Sequence, residues 1–191
     1  MHTDTLTNKA APCRSGIYSA NKTHSWHDVR GTSSATARRH KQEMKKINTR
    51  IDLVDSNNSE LRTIRHRVFI DEQRVPEALE WDKHDASASH FLLCLDTMPV
   101  ACARLKTDGQ VGRMAVLKGY RGQGYGSMLL EHILQTARTA GFRKLYLHAQ
   151  TSAISFYEKH GFSAHGSEFM DAGIPHREMM ISLDATEPGS L

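Results

Sequence analysis

Between Ile47 and Leu183 the apolar residues fall either into short continuous runs or onto one helical face, with turn residues between them. Ile51–Val54, Phe91–Leu95, Val100–Leu105, a run ending near Leu117, Lys144–His148 and Arg177–Leu183 read as strands. Leu61, Ile64, Val68 and Phe69 share one helical face, and Leu129, Leu130, Ile133, Leu134 and Ala137 share another. Asn57, with Glu60 three residues on, reads as the start of the first helix. Ser152–His160 reads as a further helix. It ends in Gly161-Phe162, as the long helix ends in Gly141-Phe142, which predicts left-handed caps with the Phe folded back. Asp96-Thr-Met-Pro99 and Asp108-Gly109 are turns, and residues 71–89 are irregular and acidic. The order is strand, helical segment, three-strand meander, helix, strand, helix, final strands. That is an α/β chain, a mixed (α+β) sheet with antiparallel and parallel pairings.

Residues 1–43 lack either period and are rich in Ser, Thr, Ala, His and Arg, so they read as a disordered basic leader. A flexible tail, a targeting segment, or translated sequence ahead of a start at Met44 are its candidate origins; the tail and the non-native start are preferred. The domain then occupies 44–191. This division changes the meaning of the charge. The leader carries seven Lys/Arg against three acidic residues, which accounts for the whole formal charge of +4. The domain itself is neutral, so it is not expected to bind nucleic acid. No apolar run approaches the ~20 residues that span a bilayer, and no secretory signal precedes the domain, so a cytoplasmic protein without a membrane partner is expected. Cys13, Cys94 and Cys102 show no C-x-x-C spacing and read as reduced thiols. Twelve histidines show no ligand spacing, so no metal is expected.

The densest chemistry lies at 112–127. The apolar run Met114-Ala115-Val116-Leu117 leads into Arg121-Gly122-Gln123-Gly124-Tyr125-Gly126, and the long amphipathic helix begins at once. A strand, a glycine turn and a helix N-terminus make an anion site, because glycines admit close approach and the first-turn N–H groups lack helical partners. A P-loop would close on Gly-Lys-Ser/Thr, and no lysine stands there. A dinucleotide turn would want Gly-x-Gly-x-x-Gly and a later acid, where Arg143 and Lys144 stand instead.

Arg-x-x-Gly-x-Gly remains, met by Arg121, Gly124 and Gly126, and it resembles the acetyl-CoA motif of the GNAT superfamily of N-acetyltransferases. A second signature follows in order: Ala153, Phe156, Tyr157, Gly161 and Phe162 match the family's Ala-x-x-Phe-Tyr-x-x-x-Gly-Phe helix. Gln150 stands where that family often has asparagine. The resemblance runs from about Ile47 to Leu183 and implies a GNAT-like acyl-CoA N-acyltransferase fold. It extends to a bacterial branch with a Glu-Gln pair near Glu72-Gln73 and an Ala-Gly-Ile-Pro-His segment, here Ala172–His176.

The resemblance implies acetyl-CoA as co-substrate. Its pantetheine would pair with Met114, Ala115 and Val116 on a splayed strand, one of whose N–H groups could stabilise the oxyanion. Gln150 would bond the pantetheine, and the loop from Arg121 through Gly122, Gln123, Gly124, Tyr125 and Gly126 would hold the pyrophosphate. Tyr157 resembles the tyrosine that protonates the departing thiolate. For the proton acceptor the order of candidates is Glu72, His148, His176. Asp71, Glu72, Glu77, Glu80, Asp82 and Asp85 outnumber Arg74 and Lys83, which predicts an acidic rim that favours a cationic amine. The expected function is acetyl transfer to a primary amine, on a small molecule or a protein, by direct attack in a ternary complex; a homodimer stays open. The alternative is an acyl-CoA-binding sensor or partner-binding module without efficient catalysis.

Overall fold

A computed structural model of the chain describes residues 47–184; the expected leader lies outside them. Four strands form an antiparallel meander in the order of the chain: β1 (Thr49–Val54), β2 (Ser89–Leu95), β3 (Met98–Leu105) and β4 (Val111–Val116). A second sheet has β5 (Lys144–Gln150) against β7 (Ile174–Ser182), with β6 (Ser163–Asp171) on the outer edge. β6 has no boundary in the sequence pattern. Its side chains are mostly exposed, and a bulge between His165 and Phe169 breaks the alternation that would mark a strand.

The central strands are apolar on both faces because helices cover both. Phe91, Leu93, Ala101 and Ala103 face the main core with helix α3 (Tyr125–Thr139). Leu92, Cys94 and Cys102 face Leu61, Ile64 and Val68 on the other side. This explains why β2 and β3 read as continuous runs and not as alternation. Leu61 and Ile64 belong to α1 (Ser59–Arg65). Its cap is Asn58, one residue later than expected, whose side chain accepts from the N–H groups of Glu60 (3.0 Å) and Leu61 (2.9 Å).

The first helix does not simply continue as its apolar face suggests. His66–Glu72 is a π-helical stretch, closed by the Gln73 N–H on the Val68 carbonyl at 3.1 Å. Arg74 then adopts φ +61°, which stops the helix. A short α2 (Glu77–Glu80) and a turn at 85–87 follow, where the sequence suggested an irregular loop. At the other end, α4 (Ile154–Glu158) continues a 3-10 turn at Thr151–Ala153. Both Gly-Phe ends form as expected. Gly141 and Gly161 take φ +81° and +88°, and the N–H groups of Phe142 and Phe162 reach back to Ala137 (3.0 Å) and Tyr157 (3.2 Å).

Candidate active site

β4 and β5 run parallel and meet at a single bridge between Gln110 and Tyr146, where the Tyr146 N–H donates to the Gly109 carbonyl at 3.1 Å. Beyond it the strands belong to different sheets and a cleft opens. The edge of β4 that faces it follows from alternation. The Leu117 N–H donates to Val100 on the β3 side at 2.9 Å, so Val116 turns its N–H and C=O the other way. The Val116 carbonyl is met there by Arg121 Nε at 2.8 Å.

Two cavities of about 500 Å³ each open along this cleft. One follows Met114, Ala115 and Val116 to Arg121, Gly122, Gly124 and Gly126. The other lies over β5 and β7, with Leu79, Asp82, Arg113, His148, Ile174 and His176 in its walls. Five residues line both: Gln73, Met114, Gln150, Ala153 and Tyr157.

The glycine loop is built as an open cap. Gly124 is the N-cap of α3 at φ +88° and no side chain caps the helix, so the first-turn N–H groups face outward. A Cβ at Gly122 or Gly124 would meet nothing within 4 Å. The helix behind is fixed by Leu129, Leu130 and Ile133, all fully buried, at about 1.5–3 kcal/mol each. Gln123 and Tyr125 do not line the cavity. Gln123 Nε2 donates to the Gly119 carbonyl at 2.9 Å, and Tyr125 lies beside Tyr120.

Tyr157 sits where the cavities meet, between Phe156 and Phe162, with its hydroxyl 3.8 Å from Met114 Sδ. Burial pushes its hydroxyl up to about 12, so it stays protonated at neutral pH. Gln150 Nε2 donates to Gln73 Oε1 at 3.0 Å. His176 is buried opposite Gln150 in the β5–β7 pairing, and its Nδ1 lies 2.8 Å from the Ile174 carbonyl. A carbonyl can only accept, so Nδ1 donates there, and in the neutral tautomer that fits this contact Nε2 carries the lone pair. His148 lines the same cavity, with Nε2 3.9 Å from Glu178.

Glu72 is placed elsewhere. It lines neither cavity and pairs in bidentate fashion with Arg121, Oε2 to Nη2 at 2.8 Å. The Arg121 hydrogen bond holds its carboxyl below the ordinary value, which makes it a poor proton acceptor. Of the six carboxylates expected to form an acidic rim, three more are taken by arginines from distant elements. Glu80, 2% exposed, meets Arg65 and Arg113; Asp82 meets Arg104 and Arg113; Asp85 meets Arg65 and Arg104. The network ties the segment over the second cavity to β3 and β4, and its charges balance. Arg113 reaches it from a bulge in β4 at φ +48°. The sequence marked Gln73 only as half of the Glu72-Gln73 pair, with no role in the site, and did not single out these arginines. Among the described residues no three His, Cys, Asp or Glu side chains gather to hold a metal ion, and no helix is long and apolar enough to cross a membrane.

Residues 40–183 match the family model described as Acetyltransferase (GNAT) domain. The chain is 36% identical over 121 residues to the uncharacterized N-acetyltransferase YjcF of Bacillus subtilis, covering 61% of this chain and 86% of that one. It is 35% identical over 139 residues to YyaT of the same organism, covering 70% and 90%. A crystal structure of an acyl-CoA N-acyltransferase from Pseudomonas aeruginosa superposes with a TM-score of 0.63 at 27% identity, covering 71% of this chain and 99% of that one. With a family model over most of its length and relatives and a solved structure of the same kind, the chain belongs to the GNAT family of acyl-CoA-dependent acyltransferases.

Proposed function

We propose that the protein moves an acetyl group from acetyl-CoA to a primary amine by direct attack in a ternary complex. The observation that carries this reading is the pair of cavities with a common wall at Gln73, Met114, Gln150, Ala153 and Tyr157. One cavity ends on an anion-ready helix cap and suits the cofactor; the other suits an acceptor, and only the shared wall touches both. YjcF, among the relatives, carries the name N-acetyltransferase, which supports nitrogen as the acceptor atom.

The chemistry then divides among named groups. A lysine-like amine is only about 0.1% neutral near pH 7.4, a handicap of roughly 4 kcal/mol. His176 Nε2 takes the proton, in place of Glu72. The amine attacks the thioester carbonyl, and the Val116 N–H stabilises the oxyanion. As the C–S bond breaks, Tyr157 donates a hydrogen bond to the thiolate. Tyr157 passes its proton to that sulfur, and the second proton, which the attacking nitrogen sheds as the amide forms, restores the hydroxyl. Products are an N-acetyl amine and CoA. Because the arginine network balances the acceptor wall, the acceptor is selected by shape and hydrogen bonding more than by net charge.

The test is thiol release from acetyl-CoA with a panel of cationic, neutral and anionic primary amines. Turnover with some amine, abolished in His176→Gln, supports the reading. No turnover with any amine would favour an acyl-CoA sensor.

A further inference from the structure

The reaction centre contains one polar group with no assigned task. Gln73 is one of the five residues that line both cavities. Its direction is set by two irregularities in succession: it closes the π-helical stretch, and Arg74 after it is left-handed. Such departures from regular helix carry a cost, and they concentrate at functional sites. Its carboxamide oxygen is committed, since it accepts from Gln150 Nε2 at 3.0 Å, which turns its –NH₂ away from Gln150. Among the described residues this nitrogen has no protein acceptor. Gln73 lines the same cavity as Val116, Met114 and Tyr157, and its two N–H groups are the uncommitted end of the side chain there.

We propose that the Gln73 carboxamide is a second donor to the thioester carbonyl, acting with the Val116 N–H as that oxygen becomes an oxyanion. The inference rests on the acetyl-CoA reading above. It gives the Gln150–Gln73 bond a purpose: the amide of Gln150 fixes which end of Gln73 is presented. A pair of donors aimed at a developing charge is worth more than one, because neither must reorganise at the moment of reaction. Gln73 is then a catalytic residue contributed by the irregular helix, and β4 supplies the other donor.

Gln73→Glu tests this cleanly. A carboxylate at 73 still accepts from Gln150, so the tie between the two elements survives, while the donor is lost and a negative charge faces the oxyanion. The expected result is a kcat lower by about 10²–10³-fold with the CoA Kd within about threefold of wild type. Gln150→Ala breaks the tie and leaves the donor; its kcat should fall less than that of Gln73→Glu, with a raised KM for acetyl-CoA. If the tie alone mattered, Gln73→Glu would turn over like wild type and Gln150→Ala would carry the loss. A second readout needs no acceptor: infrared difference spectra of bound acetyl-CoA labelled with ¹³C at the carbonyl. The C=O band should shift to lower frequency in wild type and move back in Gln73→Glu. Equal band positions together with an unchanged kcat would overturn the assignment. A shifted band in a wild type that acetylates no amine would leave it standing and remove the transferase reading instead.

Discussion

Gly124 and Gly141 stand at the two ends of α3 and allow a matched experiment. Their φ angles are +88° and +81°, and a Cβ at either would meet nothing within 4 Å. Alanine at each should therefore cost the same backbone strain, about 1–2 kcal/mol for a left-handed residue, less about 0.4–1 kcal/mol because the unfolded chain is also restricted. The net, near 1 kcal/mol, should lower Tm by about 3–5 °C in both variants. Their effects on the cofactor should differ sharply. At Gly124 the methyl group stands before the uncapped first turn and holds the pyrophosphate off. Losing one charged N–H bond to phosphate costs about 1.5–3 kcal/mol, so the CoA Kd should rise about 10- to 100-fold. At Gly141, beyond the other end of the helix, CoA binding should not change. Titration calorimetry with CoA and with pantetheine, which lacks the pyrophosphate, reads this directly; pantetheine should bind all three proteins alike. Equal weakening of CoA by both substitutions, or none at Gly124, would refute a phosphate site at the helix cap.

Tyr157→Phe should keep acetyl-CoA affinity and lower kcat by something like 10²-fold, read by thiol release; near-normal turnover would leave the ring with a packing role only. Glu72→Gln should keep kcat within about threefold. It frees Arg121 and removes a carboxylate beside the loop, so CoA should bind up to about fivefold tighter at low salt, with the gain fading at high salt as for any exposed pair. Loss of kcat by two orders of magnitude would restore Glu72 as the base. For Asp85, burial raises the carboxyl, but the hydrogen bonds from Arg65 and Arg104 outweigh it and leave it below the ordinary value. Its stabilisation is then present above the unfolded value near 3.8 and disappears as pH falls through the folded one. Wild-type Tm should hold from neutral pH down to about 5 and drop below about 4, while Asp85→Asn should start lower and show a shallower acid limb.

The glycine loop and the helix behind it were legible because they are local. A turn that needs left-handed backbone at Gly124 demands glycine, and the helix face behind it repeats at fixed spacing, so Arg121–Ala137 announces itself within seventeen neighbouring positions. The helix ends at Gly141 and Gly161 were legible for the same reason. The wall of the second cavity depends on partners far apart in the chain. Glu80, Asp82 and Asp85 look like a free acidic run until Arg65, Arg104 and Arg113 reach them from α1, β3 and β4. Glu72 stood first as proton acceptor because it follows the first helical segment in the chain. At the end of the π-helical stretch Glu72 pairs with Arg121, and Gln73, the next residue, lines the junction. β6 escaped because an exposed edge strand with a bulge needs no apolar alternation.

The parting of β4 from β5 also bears on how long the protein survives when its cofactor is scarce. Apart from the Val116 carbonyl, which Arg121 occupies, the β4 backbone groups turned toward the cleft have no partner strand, so these amides should exchange their hydrogens readily in the empty protein. An extended ligand that pairs with them completes the sheet as a borrowed strand would. Any ligand that binds only the folded state adds RT ln(1 + [L]/Kd), about 2.7 kcal/mol at a hundredfold excess over Kd. Met114 and Val116 should therefore become slowly exchanging when CoA is added, and the melting temperature should rise with CoA concentration. The protein would then persist in proportion to the acyl-CoA around it, with its resistance to unfolding and proteolysis following the supply of its own co-substrate.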